Sequence, residues 1–260
     1  MHYIESGSGP PLVLLHAFPV DARMWSGVRG RLEPQARVIT PDQRGLGQSP
    51  LPSDSGEPDL GLVADDVVAL LDKLELPQVV LGGCSMGGYV AMEVLRRAPS
   101  RVSGLLLADT KATADDAEQR DGRLAAADRA EREGTAGWLA ENSVSGVLGE
   151  TSHQERPDLV ADVRDMIETQ PASGVAWAQR AMAARPDSTE TLRSYEGPAL
   201  VVVGEQDDLS PPSVARDLVA ALPEGELRIL PHAGHLAPME DPKVFVDAVR
   251  PWMNRFRSTV

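Results

Sequence analysis

The sequence predicts an α/β protein with a mainly parallel twisted sheet flanked by helices, and three observations predict it. Short apolar runs rich in β-branched residues recur along the chain, most of them followed by a segment of helical periodicity. One strand-to-helix junction is a very glycine-rich turn, LGGCSMGGYVA at residues 81–91. The alternation breaks once, over a long interval with helical pattern and no convincing strand.

Taken in order, strands are expected at residues 12–16, 37–40, 78–81, 102–108, 199–203 and 227–230. The run at 78–81 is bounded by Pro77, and after the glycine-rich turn Tyr89, Val90, Met92, Val94 and Leu95 recur at helical spacing until Pro99 stops the pattern. That junction is strand, tight turn, helix. Between residues 111 and 195 the sequence is Ala-, Arg- and Glu-rich with Gly and Pro interruptions, which predicts a helical insertion lying as a lid over the carboxyl edge of the sheet. The expected organisation is therefore a core in two parts, residues 1–110 and 196–260, with the lid or cap 111–195 inserted between them.

Composition excludes several functions. A chain of 260 residues with 42% hydrophobic and 25% charged residues can bury one large core, so disorder is not its character. The formal charge of −14 repels nucleic acid and anionic membrane surfaces, and neither partner is expected. No basic segment leads into a long apolar stretch at the start and no window reads as a membrane span, so the expected location is the cytoplasm. Cys84 is the only cysteine, which rules out an internal disulfide and a structural zinc site. The five histidines lack ligand spacing, and neither G-x-G-x-x-G nor a Walker loop occurs, so neither a metal nor an organic cofactor is expected. No pattern in the sequence speaks to oligomeric state.

Gly83-Cys84-Ser85-Met86-Gly87 satisfies G-x-S-x-G in the required context, strand before and helix after. Such a pattern also suits a turn that only packs helix on strand, so partners must decide. GEQDDLSP, residues 204–211, places Asp207 just past a strand, and HAGHLAPMEDP, residues 232–242, places His235 in the loop after the last strand. Serine, acid and histidine, in that order at three loop positions, make a coherent catalytic set. A serine hydroxyl needs a base, imidazole titrates near neutrality, and a carboxylate can hold the ring in the correct tautomer.

Over nearly its whole length the chain resembles the α/β-hydrolase superfamily, closest to the enol-lactonase, esterase and perhydrolase-like branch. HAFPVDARMW at 16–25 resembles that branch's HGFP segment, DQRGLGQS at 42–49 its DxRGxGxS loop, and the Asp207 and His235 blocks its acid and histidine blocks. The resemblance implies catalytic Ser85, Asp207 and His235, with an oxyanion hole from the backbone N–H groups of Phe18 and Met86. Two departures stand out. Ala17 occupies a position where glycine is usual, and the chain begins at what would be the family's second strand, so the first antiparallel strand is expected to be missing.

The implied activity is that of a serine hydrolase cleaving a small ester, lactone or thioester through an acyl-enzyme. Its partner would be a small-molecule acyl substrate, with a second acceptor substrate if the enzyme is instead an acyltransferase in a biosynthetic pathway. Carbon–carbon bond hydrolysis or cofactor-free perhydrolysis would use the same constellation, and a non-catalytic ligand-binding protein of this fold is the alternative from another class. An aspartate nucleophile is excluded by Ser85 itself. Cys84, one position from the serine, should point inward, and Asp109, just past the strand at 102–108, is the alternative acid. Arg44 reads as a structural hydrogen-bonding residue. Trp25, Trp138, Met166, Trp177 and Met182 could line an apolar acyl pocket or serve as ordinary core.

Overall fold

The computed structural model describes residues 1–54 and 56–257, so the last three residues of the predicted C-terminal core part lie outside the described residues. Its strands are β1 (Tyr3–Ser6), β2 (Pro11–Leu15), β3 (Arg37–Pro41), β4 (Val79–Cys84), β5 (Val102–Ala108), β6 (Ala199–Gly204) and β7 (Gly225–Leu230). They form one seven-stranded sheet in the order β1-β3-β2-β4-β5-β6-β7. Every pairing is parallel except β1 with β3. All six residues of both β4 and β6 are buried, as apolar runs covered on two faces should be.

Apolar patterning predicts no strand before residue 12, yet Tyr3–Ser6 forms β1, the antiparallel edge of the sheet, where Tyr3 faces Pro41 and Ser6 faces Val38. It spans four residues, none fully buried, and carries Glu5 and Ser6 at a sheet edge. Nothing in so short and half-polar a segment resembles the apolar core strands.

The helices are α1 (Ser26–Leu32), α2 (Leu60–Lys73), α3 (Met86–Arg97), α4 (Ala117–Glu133), α5 (Trp138–Val147), α6 (Glu150–Glu155), α7 (Pro157–Glu168), α8 (Ala172–Ala184), α9 (Thr189–Arg193), α10 (Pro212–Ala221), α11 (Ala237–Glu240) and α12 (Pro242–Met253). Helix α3 packs on β2, β4 and β5 with α2 beside it, whereas α1 packs against α12, which reaches β6 and β7. Trp25, Phe245 and Trp252 are fully buried, with the rings of Trp25 and Phe245 centred 6.0 Å apart. Between β5 and β6 the described residues form six helices and no strand, led by α4, which is fixed by a capping box between Asp116 and Gln119. No helix among the described residues is long and apolar enough to cross a membrane.

Because β4, β5, β6 and β7 are parallel neighbours, the loops leaving their carboxyl ends share one edge of the sheet. Ser85, Asp109, Asp207 and His235 follow those four strands in turn. Residues far apart in sequence thus meet at one place.

Candidate active site

Ser85 occupies the single residue between β4 and α3, with φ 51° and ψ −114°. A non-glycine residue there is strained, typically by about 1–3 kcal/mol, and persists only where its surroundings fix it. They do so here: the Ser85 N–H donates to the Ala108 carbonyl at 2.9 Å, and its own carbonyl accepts from Gly88 N–H at 2.9 Å and from the Thr110 hydroxyl at 2.8 Å. The glycines make this turn possible by close approach. A Cβ on Gly83 would lie 2.1 Å from the Gly87 carbonyl, and one on Gly87 would lie 2.2 Å from the Leu15 carbonyl oxygen.

The strained turn aims the hydroxyl at the histidine loop. His235 Nε2 lies 2.8 Å from Ser85 Oγ, and its Nδ1 lies 3.0 and 2.9 Å from the two oxygens of Asp207. Asp207 is itself oriented, because its Oδ1 accepts from the Leu209 and Ser210 N–H groups, each at 2.9 Å. Both His235 and Asp207 are buried. The structure therefore brings together the three side chains that the sequence singles out. A base within reach of the hydroxyl and a carboxylate on the far ring nitrogen can deprotonate a nucleophile and stabilise the imidazolium that results.

Asp109 is buried nearby but does not touch the imidazole. Its Oδ1 accepts the Gly204 N–H at 2.8 Å, tying the end of β5 to the end of β6. Burial, and then the neighbouring charge of Asp207, push its carboxyl well above the usual range. Cys84 faces inward, with Sγ 3.6 Å from the His235 carbonyl oxygen, and burial pushes its thiol well up. A protonated, enclosed thiol is a poor nucleophile.

Neither the Phe18 nor the Met86 N–H donates to a protein acceptor among the described residues. Met86 opens α3, where the helix dipole favours negative charge. Ala17 does not take a left-handed backbone conformation, so its β-carbon is accommodated without strain. His16, unassigned from the sequence, braces this loop: its Nδ1 donates to the Ala17 carbonyl at 2.8 Å, while its Nε2 accepts the Gln43 N–H at 2.9 Å. Those partners fix the neutral tautomer, and burial lowers the pKa of the ring in the same sense.

Ser85 and His235 open into a cavity of about 630 Å³. Its walls include Gln119 and Arg123 of α4, Ser143 of α5 and Met182 of α8. Of the five aromatic and methionine residues considered for an apolar pocket, Met182 alone lines this cavity. Phe18, Val147 and Leu209 line it with Met182 on one hand and Lys111, Arg123 and Gln179 on the other, and the sequence offered no periodic signal for the polar members. Arg44 forms two 2.8 Å hydrogen bonds to Asp66, a structural role.

A sequence model described as the alpha/beta hydrolase fold matches residues 10–242. The chain is 34% identical over 252 residues to the dihydrolipoyllysine-residue acetyltransferase component of an acetoin cleaving system from Pseudomonas putida, a match covering 92% of this chain but only 63% of that protein. It is 26% identical over 247 residues to 3-oxoadipate enol-lactonase 2 of Acinetobacter baylyi, covering 95% and 90% of the two chains. Among solved structures, a thermophilic esterase from Thermogutta terrifontis with malate bound superposes with a TM-score of 0.95 at 38% identity, over 99% of this chain and 94% of that one.

Proposed function

This chain belongs to the α/β-hydrolase fold family, and from that premise we propose that it is a serine hydrolase cleaving a small carboxylic ester, lactone or thioester through an acyl-enzyme on Ser85. The observation that carries the reading is the continuous relay from Asp207 through His235 to Ser85, with each contact at 3.0 Å or less. In the proposed reaction His235 Nε2 takes the hydroxyl proton as Ser85 Oγ attacks the carbonyl carbon. The oxyanion that forms is held by the N–H groups of Phe18 and Met86. His235 then returns the proton to the leaving oxygen or sulfur, and water repeats the sequence on the acyl-serine to release the acid. Asp207 keeps the Nδ1 proton in place throughout.

The cavity volume suits a small substrate, and the esterase and enol-lactonase among the similar proteins support an ester or lactone. Because α4, α5 and α8 contribute its walls, we read residues 111–195 as the lid that sets substrate preference. Acyl transfer to an acceptor other than water is the second reading, supported by the similarity to an acetyltransferase component. Intact-mass spectrometry separates the readings. A fluorophosphonate should label Ser85 once and not label Ser85→Ala, and repeated turnover of simple p-nitrophenyl esters supports hydrolysis. An acyl-enzyme that persists until an alcohol, amine or thiol is added supports transfer, and absence of labelling refutes both.

A further inference from the structure

The wall of the Ser85 cavity carries a concentration of positive charge that the fold does not balance. Asp115 is its single carboxylate, with a side chain 1% exposed, and three cations converge on it. Its Oδ1 accepts from Arg185 Nη2 at 2.9 Å and pairs with Lys111 Nζ at 3.2 Å. Its Oδ2 accepts from Arg123 Nε at 2.5 Å and pairs with Arg185 Nη1 at 2.8 Å. Three full positive charges on one negative charge leave two uncompensated, in a protein whose formal net charge is −14.

The surplus faces the cavity. Lys111 and Arg123 both line it, whereas Arg185 lies behind them, stacked 4.0 Å over the ring of Tyr89, another lining residue. Gln119 accepts from Lys111 Nζ at 2.8 Å and Gln179 from Arg123 Nη1 at 3.2 Å. Nη2 of Arg123 has no partner among the described residues. Burial pushes the Lys111 ammonium below its usual value, Asp115 opposes this, and the charges of Arg185 and Arg123 push it further down. A tie between α4 and the preceding segment needs only one cation against Asp115. Two more, held rigidly by that carboxylate with donors left over, make a site for an anion. The site also lies close to the nucleophile: Lys111 directly follows Thr110, whose hydroxyl donates to the Ser85 carbonyl at 2.8 Å.

We propose that the substrates are esters or lactones bearing a second, ionised carboxylate, and that Lys111 and Arg123 bind this group while Ser85 attacks the ester carbonyl. Asp115 and Arg185 are positioning residues for that pair. The proposal rests on the serine-hydrolase reading for its chemistry and on the charge arrangement for its specificity.

Two matched pairs of esters test it and show which end of the substrate carries the charge. Mono-p-nitrophenyl glutarate and its neutral methyl ester place the carboxylate on the acyl side. 4-Acetoxybenzoate and its methyl ester place it on the leaving group. The readout is the ratio of kcat/KM for charged over neutral ester, which normalises away any general loss of activity. The wild-type ratio should exceed roughly tenfold in one pair and shrink as salt is raised. Lys111→Gln and Arg123→Gln should each lower it at least tenfold, with Arg123→Lys retaining part of it. Ratios near one in both wild-type pairs, or a ratio surviving both glutamine variants, overturn the proposal. If no ester is turned over and Ser85 does not react with a fluorophosphonate, the hydrolase reading fails instead. Calorimetry with glutarate then decides the subsite alone: binding lost in Arg123→Gln sustains it, and no binding to the wild type overturns it.

Discussion

Replacing Asp207 by asparagine tests the relay at its most specific point. Oδ1 of Asp207 already accepts two backbone N–H groups, from Leu209 and Ser210, at 2.9 Å. An asparagine must keep its carbonyl oxygen on those donors, which turns its NH₂ toward His235 Nδ1. Two donors then face each other, and the ring escapes by moving its proton to Nε2. In that tautomer Nε2 cannot accept the Ser85 proton. The expected loss in turnover is about ten-thousandfold, or about 5.4 kcal/mol of barrier, with the fold intact. Asp109→Asn is the control: its oxygen can keep the Gly204 N–H and it has no contact with the imidazole, so the loss should stay within about tenfold, near 1.4 kcal/mol. The assay is kcat/KM on a p-nitrophenyl ester for both variants, with circular dichroism melts to confirm folding. Equal losses, or a larger loss for Asp109→Asn, would refute the assignment of Asp207.

Ser85→Ala should leave the melting temperature nearly unchanged and lower turnover by on the order of a millionfold, and activity above a thousandth of wild type would sink the nucleophile assignment. Gly87→Ala places a methyl 2.2 Å from the Leu15 carbonyl oxygen, so it should yield little soluble protein; a variant of wild-type stability would show that the turn is looser than described. The Asp115 carboxyl is pushed up by burial, but the hydrogen bond from Arg185 and the charge of Arg123 prevail and hold it well below the usual range. A lowered folded-state pKa contributes stability that is complete above the unfolded value of about 4 and lost as pH falls through the folded one. The gap in melting temperature between wild type and Asp115→Asn should therefore be widest near neutrality and narrow below about pH 4, and a gap independent of pH would contradict the ion-pair account.

The parts of this molecule legible in the sequence are those whose signal is local. The strand expected at 102–108 coincides with β5, and Ser85, Asp207 and His235 could be singled out because each falls in the turn or loop that follows a strand. The charged part of the cavity was not legible. Its charged wall joins Lys111, Asp115, Arg123 and Arg185, residues up to 74 positions apart that meet only because α4 packs against α8. No periodicity records such a meeting, and arginine and lysine in a helical segment resemble a solvated face. The tryptophans and methionines that could serve as pocket or core divide the same way: large apolar residues at helical spacing in this segment satisfy the core first, as Trp177 does at 6% exposure, and Met182 reaches the cavity.

Glu240 shows how much of the site's geometry rests on such unsignalled contacts. In the sequence it is one acidic residue in MEDP, five positions before Phe245, and resembles any surface glutamate. In the structure its carboxylate is buried and accepts from four donors on two separate segments. Oε1 takes the Gly234 and Leu236 N–H groups at 2.8 and 3.2 Å, on either side of His235. Oε2 takes the Gly149 N–H at 2.8 Å and the Ser152 hydroxyl at 2.6 Å, directly after the α5 wall of the cavity. The Leu236 N–H also reaches the Val147 carbonyl at 3.0 Å. Hydrogen bonds to a charged group contribute about 1.5–3 kcal/mol each, and leaving such donors buried and unpaired costs a comparable amount. One carboxylate thus fixes both the loop that presents His235 to Ser85 and the start of the segment that closes the cavity beside it. His235 and the cavity wall beside it share a single anchor, so neither can be displaced without disturbing the other.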